Sequence, residues 1–226
     1  MSELVAFSPE GQHISSGAAF DRVGLVHRVR VPDEHSQGKA PYPTLVMLHG
    51  LNGTEDVTWI FARNAGPEWL VISPRAPFIG ENGYRWNNTG AEDYSAGLGA
   101  LSHFIESLPQ VYPVDRSRLV LLGFSQGAAM AYSFGASHSI SGIAALAGFI
   151  PMPLADNLPA LAHLPVLILH GTQDETIPVA TARRNRDQLI AAGTDVGYHE
   201  AEVGHKVSSS GMAELKRWLA QRLVQP

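Results

Sequence analysis

The chain has 226 residues, 45% hydrophobic and 16% charged, which excludes a disordered protein and fits one well-buried domain spanning residues 1–226. A net charge of −5, with no basic cluster longer than Arg183, Arg184 and Arg186, argues against nucleic acid as a partner. The absence of cysteine removes disulfides, thiolate metal sites and a cysteine nucleophile together.

Residues 1–15 carry neither the basic start nor the apolar stretch of a secretory signal. No apolar run approaches the ~18 residues of a membrane span, so a cytoplasmic protein without stable membrane insertion is expected. Next, "LVHRVRV" (residues 25–31) alternates polar and apolar side chains and reads as a half-exposed edge strand. Five near-continuous apolar runs follow, "TLVMLHG", "WLVISP", "RLVLLGF", "GIAALAGF" and "PVLILHG". Such runs are typical of parallel strands covered on both faces. Between them Leu98, Leu101, Ile105 and Leu108 recur at helical spacing, as do Met212, Leu215, Trp218, Leu219 and Leu223 near the end. The alternation predicts an α/β fold, a mostly parallel sheet with helices on both faces and no large cap domain.

The third apolar run leads into "GFSQG", where Gly123 and Gly127 flank Ser125 as G-x-S-x-G. A strand that becomes a helix within one residue strains the serine, and strand and helix backbones then nearly touch, so the flanking positions must be small. The corner lifts the Ser125 hydroxyl above the sheet edge. It also aims the helix N-terminus at the reaction site, which makes the amide of Gln126 an oxyanion donor. "LVMLHGLNG" ends another strand at His49 and Gly50, and its loop offers the amide of Leu51 as a second donor. His49 would anchor that loop through side-chain hydrogen bonds.

Asp174, in "PVLILHGTQDETIPV", stands past a strand end where a carboxylate can orient an imidazole; Asp187 and Asp195 are rivals by residue type only. Of ten histidines, only His199 and His205 follow that acid. His199 falls inside a strand pattern. His205 lies in the loop after it, at a carboxyl end from which a side chain can reach Ser125, and is the preferred base.

"LHGLNGTE", "SPRAP", "GFSQGAAMAY", "HGTQDETIPV" and "GHKVSSSGMAELKRWL" together resemble the carboxylesterase/phospholipase family of α/β-hydrolases, which includes the acyl-protein thioesterases. The resemblance covers five strand ends from Leu48 to Leu219. It implies a lidless hydrolase with Ser125, Asp174 and His205 as triad, Leu51 and Gln126 as oxyanion donors, an acyl-enzyme intermediate, and no metal or organic cofactor.

Two segments depart from the thioesterase pattern. Asn52, Gly53 and Thr54 stand where Gly and Asp are usual after "HGL", and "GENGYRWNN" (residues 80–88) replaces a Ser-Trp-aromatic-Asp pattern. Trp86, with Tyr84 and Arg85, is therefore either a wall of the acyl pocket or a loop anchor packed on the domain. Trp59 and Phe61 read as core of a short helix.

The expected activity is hydrolysis of short- to medium-chain carboxylic esters, small-molecule substrates. A thioesterase or lysophospholipase with the same triad is the near alternative, and a catalytically silent hydrolase-fold binding protein the distant one. A homodimer is left open.

Overall fold

The computed structural model describes residues 10–33, 40–88 and 93–223. The reading of the N-terminus as free of a signal rests largely on residues 1–9, outside the described residues.

Ten strands are described: β1 (Gln12–Ile14), β2 (His27–Arg30), β3 (Tyr42–Leu48), β4 (Leu70–Pro74), β5 (Phe78–Ile79), β6 (Tyr84–Arg85), β7 (Val114–Phe124), β8 (Gly142–Leu146), β9 (Val166–Gly171) and β10 (Val196–Ala201). The α-helices are α1 (Gly17–Val23), α2 (Ser95–Ser107), α3 (Gln126–Gly135), α4 (Met152–Ala155), α5 (Val179–Ala191) and α6 (Ser209–Gln221). A 3-10 helix spans Val57–Asn64. Eight strands form one sheet in the order β1-β2-β4-β3-β7-β8-β9-β10, and β5 pairs with β6 in a separate hairpin. From β4 through β10 every neighbouring pair is parallel, while β2 is antiparallel to both β1 and β4.

Every residue of β3, β4, β8 and β9 is buried, as two-sided strands require. Their side chains alternate between two cores. Val46, Leu48, Ile72, Leu121, Ile143 and Ile168 pack with α1, α2, α3 and α5 on one face. Leu45, Met47, Val71, Leu122, Leu146 and Leu169 pack with the 3-10 helix and α6 on the other.

One expectation is corrected. The segment around β2 alternates as read, with His27 and Val29 buried, yet it is no edge, because β1 pairs outside it. Three residues, "QHI", with one apolar side chain among them, gave no period to detect. Among the described residues no helix is long and apolar enough to cross a membrane, and no group of three potential metal-binding side chains occurs.

Candidate active site

Ser125 lies between β7 and α3 at φ 53°, ψ −118°, a conformation forbidden to most L-residues and held by its surroundings. Its N–H donates to Leu146 O on β8 at 2.9 Å, and its carbonyl accepts from Ala128 N–H at 2.9 Å as α3 begins. A Cβ on Gly123 would collide with the backbone of Gly127, and one on Gly127 with the carbonyl of Leu48. Strand and helix thus meet backbone to backbone, which fixes the corner that carries the hydroxyl.

The carboxyl ends of β9 and β10 are tied together by Thr172 N–H to Ala201 O (2.8 Å) and Gln173 N–H to Val203 O (3.1 Å). Asp174 and His205 therefore meet, although 31 residues apart: His205 Nδ1 stands 2.7 Å from Asp174 Oδ2. The other carboxylate oxygen accepts from the N–H groups of Thr176 and Ile177, both at 2.9 Å. Burial opposes ionisation of Asp174, but the Ile177 N–H, His205 and the Thr176 N–H outweigh it and hold the carboxyl below its ordinary range. An ionised Oδ2 sets the imidazole tautomer, with the proton on Nδ1 and Nε2 left as acceptor.

The His205 ring lies 5.0 Å from that of Phe124, the residue that precedes Ser125. His199, the rival base, faces α6 instead, with Nε2 2.9 Å from Ser210 Oγ. His170, which the sequence gave no reason to single out, is fully buried beside the acid. Its Nε2–H donates to Ile177 O at 2.8 Å and lies 3.4 Å from Asp174 Oδ2, adding positive edge to the carboxylate's surroundings.

On the opposite side of Ser125 runs the loop after β3. A Cβ on Gly50 would lie 3.2 Å from that of Ser125, so the loop passes the serine at Gly50, the residue before Leu51. The N–H groups of Leu51 and of Gln126, at the start of α3, donate to no other group among the described residues. Two such free amides beside a hydroxyl can accept developing negative charge.

His49 fixes this loop: Nδ1–H donates to Gly50 O at 2.7 Å and Nε2 accepts from Ala76 N–H at 2.9 Å. Burial, against the hydrogen bond to Gly50, lowers its pKa to about 4, so the ring is neutral and both bonds persist at neutral pH. Asn52 sits in the left-handed region at φ 59°, and its Oδ1 accepts from Glu81 N–H at 3.1 Å. Tyr84 N–H donates to Gly53 O at 2.9 Å. A Cβ on Gly83 would collide with Asn52 O. The two segments that depart from the thioesterase pattern are therefore each other's partners: the β5–β6 hairpin clasps the loop bearing Leu51.

A charge cluster centred on the buried Glu55 carboxylate lies behind the clasp. Glu55 receives Arg75 Nε at 2.6 Å, Arg75 Nη2 at 2.5 Å and His13 Nε2 at 2.5 Å. The Arg75 guanidinium in turn covers the ring of Tyr84 at 4.6 Å and donates to its hydroxyl at 3.1 Å. Burial alone would raise the Glu55 carboxyl, yet the hydrogen bonds from Arg75 and His13 carry it down to about 2. None of this was visible in the sequence; opposite charges at two strand ends were its only trace.

Trp86 is 0% exposed. Its indole N–H donates to His49 O at 2.9 Å and its backbone N–H to Gln126 Oε1 at 2.9 Å, while Gln126 Nε2 donates to Asn87 Oδ1 at 2.9 Å. A side chain with no exposed surface cannot wall a pocket, so of the two readings of Trp86 the geometry is that of the loop anchor. Tyr84 faces Arg75, and Arg85 is half-buried; among the described residues no hydrogen bond or ring contact joins either to Ser125. Phe61 is core, as expected, and stacks on Phe124 at 6.3 Å.

A parallel sheet with a strained serine at the end of one strand, and an acid–imidazole pair at the ends of two others, is the α/β-hydrolase fold; no large cap is evident among the described residues. Residues 33–223 match the phospholipase/carboxylesterase family, and the chain belongs to it. It is similar to acyl-protein thioesterase 1 of Yarrowia lipolytica, with 26% identity over 87% of this chain and 97% of the relative. The structure resembles a Bacillus cereus carboxylesterase, with TM-score 0.76 and 22% identity over 90% of this chain and 97% of the other. It also resembles a carboxylesterase of Mesorhizobium loti, with TM-score 0.75 and 21% identity over 93% and 99%. Membership makes the protein a hydrolase of the phospholipase/carboxylesterase kind.

Proposed function

We propose that the protein is a serine carboxylesterase, one hydrolase domain acting on short- to medium-chain carboxylic esters through an acyl-enzyme on Ser125. The observation that carries this is the 2.7 Å Asp174–His205 pair, its imidazole packed against the residue that precedes a serine strained at φ 53°.

His205 Nε2 takes the Oγ proton as Oγ bonds to the ester carbon. The N–H groups of Leu51 and Gln126 hold the resulting oxyanion, each worth about 3 kcal/mol if removed. His205 then gives the proton to the alcohol oxygen as the carbon–oxygen bond breaks. Water, deprotonated by the same nitrogen, releases the acid and restores Oγ–H. Asp174 stays ionised throughout and stabilises the imidazolium. No step calls on a metal or organic cofactor.

Two measurements test the assignment. An alkyl fluorophosphonate is expected to label Ser125 alone, and Ser125→Ala to lose the label together with at least 10⁴-fold of p-nitrophenyl butyrate hydrolysis. Labelling elsewhere, or turnover preserved in the folded variant, overturns it. A thioesterase activity is the second reading, favoured by the name of the Yarrowia relative. Rates on butyryl ester and butyryl thioester of matched leaving groups separate the two, and a strong thioester preference would displace the first.

A further inference from the structure

Two cavities lie on opposite faces of the sheet, and Ser125 itself lines neither. One of about 600 Å³, lined by Tyr94, Leu98, Ser133 and Leu154, lies on the α3 face. Ser133 is two turns along that helix, roughly 12 Å from Ser125 at 1.5 Å per residue. The other, of about 350 Å³, lies between the 3-10 helix and the start of α6, with Val57, Ile60, Phe61, Phe124, Lys206 and Val207 in its walls.

We propose that this second cleft binds the alcohol part of the ester, and that the enzyme selects alcohols carrying an apolar group of one to two aromatic rings. The proposal rests on the serine-esterase reading and extends it to the substrate.

The argument begins with where the leaving oxygen must be. The tetrahedral carbon bears Oγ, the oxyanion, the acyl carbon and the alcohol oxygen. The oxyanion faces the amides of Leu51 and Gln126. The nitrogen that takes the Oγ proton must hand it to the alcohol oxygen, so that oxygen lies on the His205 side, and the acyl carbon takes the remaining direction, away from the imidazole.

The cleft is on the His205 side. Lys206 and Val207 follow the base directly, and Phe124, which precedes Ser125, packs its ring 5.0 Å from the imidazole. An alcohol substituent leaving the reacting carbon past His205 therefore runs into these walls.

The lining then sets the chemistry. Phe61, Phe124, Val57, Ile60, Val207 and Met212 are apolar, and the Thr58 hydroxyl, also in the wall, is already bonded to Ser73 Oγ at 2.6 Å. Val57 and Ile60 are 51% and 53% exposed, adjacent apolar side chains on one short helix that a ligand would cover. The Lys206 stem can complete the rim with its ammonium in water. At the ~30 Å³ that a water-sized group occupies in a liquid, the volume has room for about ten heavy atoms, the size of a benzyl or naphthylmethyl group.

Butyrate esters of methanol, benzyl alcohol and 1-naphthylmethanol share an acyl group and differ little in leaving-group acidity, so kcat/KM across them reads the alcohol site. A rise of ten-fold or more from methyl to benzyl butyrate is expected. Val57→Trp, a substitution of an exposed side chain that fills the cleft, is expected to lower kcat/KM for benzyl butyrate at least ten-fold. Methyl butyrate and methyl octanoate should change less than two-fold. Val57→Ala opens the mouth and should raise the ratio of naphthylmethyl to benzyl turnover.

If Val57→Trp instead penalises methyl octanoate while sparing benzyl butyrate, the acyl chain occupies the cleft and the proposal is overturned. Unchanged ratios in both variants overturn it equally. Failure of the unsubstituted protein to take a phosphonate on Ser125 is a different result and strikes the esterase reading itself.

Discussion

Asp174 and Leu51 both stand on loops at the carboxyl ends of parallel strands, on opposite sides of Ser125, and they are held by different means. Asp174 is fixed by its own neighbourhood, the N–H groups of Thr176 and Ile177 and an imidazole that two backbone bonds bring alongside. The Leu51 loop has local bonds too, from His49 and from Gly53 N–H to Gly50 O, but it also draws on distant segments. Ala76, Glu81, Tyr84 and, behind them, Arg75 hold its His49, Asn52, Gly53 and Glu55 from separate segments. Acid–base chemistry is thus written into short stretches of chain, while the oxyanion side depends on tertiary structure. Substitutions on the two sides should separate loss of activity from loss of fold.

The largest effect is expected on the acid–base side. Asp174→Asn keeps the shape but removes the charge that holds the imidazole tautomer, and kcat should fall about 10⁴-fold with KM and melting temperature little changed. Steady-state kinetics beside a thermal melt check this, and a large drop in melting temperature would show that Asp174 serves the fold instead.

The next is expected behind the oxyanion loop and reverses that pattern. Arg75→Met leaves the Glu55 carboxylate buried beside one partially exposed His13. Destabilisation of about 3 kcal/mol is expected, the low end for a broken buried pair, since the Arg75 side chain is 25% exposed. The sign of the pH dependence follows from the Glu55 carboxyl, which sits at about 2 in the folded protein against an ordinary 4.5. Its contribution is complete above pH 4.5 and is lost as pH falls toward 2. Urea denaturation at several pH values should show this acid limb in the native protein and a flattened one in Glu55→Gln.

Trp86→Phe is a smaller and more pointed test. The indole N–H satisfies His49 O, and leaving that buried carbonyl unpaired should cost about 1–3 kcal/mol of stability. If Trp86 is an anchor, KM across methyl esters of increasing acyl length should keep its trend. A trend that flattens would return Trp86 to the pocket wall.

The same contrast explains what could be read from the chain. The parallel sheet is legible because β3, β4, β8 and β9 are buried on both sides and read as unbroken apolar runs. Ser125 is legible because its strain is local and demands glycines two residues away on each side. Asp174 and His205 are legible from strand ends and chain order. The clasp is not, since Asn52 and Glu81 are 29 residues apart and each reads alone as an ordinary loop residue. Trp86 could not be placed for a similar reason: an aromatic in a loop is equally a wall or an anchor until its indole N–H has a partner. β1 escaped because three residues carry no period.

The smallest expected effect bears on the clasp itself. Asn52 has φ 59°, where an L-residue with a Cβ is strained, and asparagine tolerates it partly because its side chain bonds nearby, here to Glu81 N–H. Asn52→Gly removes the bond but fits the backbone; Asn52→Ala removes the bond and keeps the strain. Alanine should therefore be less stable than glycine by about 1 kcal/mol, a gap that has nothing to do with contacts to substrate. For activity the order carries over if the clasp positions Leu51: both variants should lose kcat with KM nearly unchanged, alanine more than glycine, because a displaced amide meets the oxyanion of the intermediate poorly while ground-state binding is left alone. Equal kcat in the native protein and both variants would mean that Gly50 and His49 alone set the loop, and that the hairpin serves stability only.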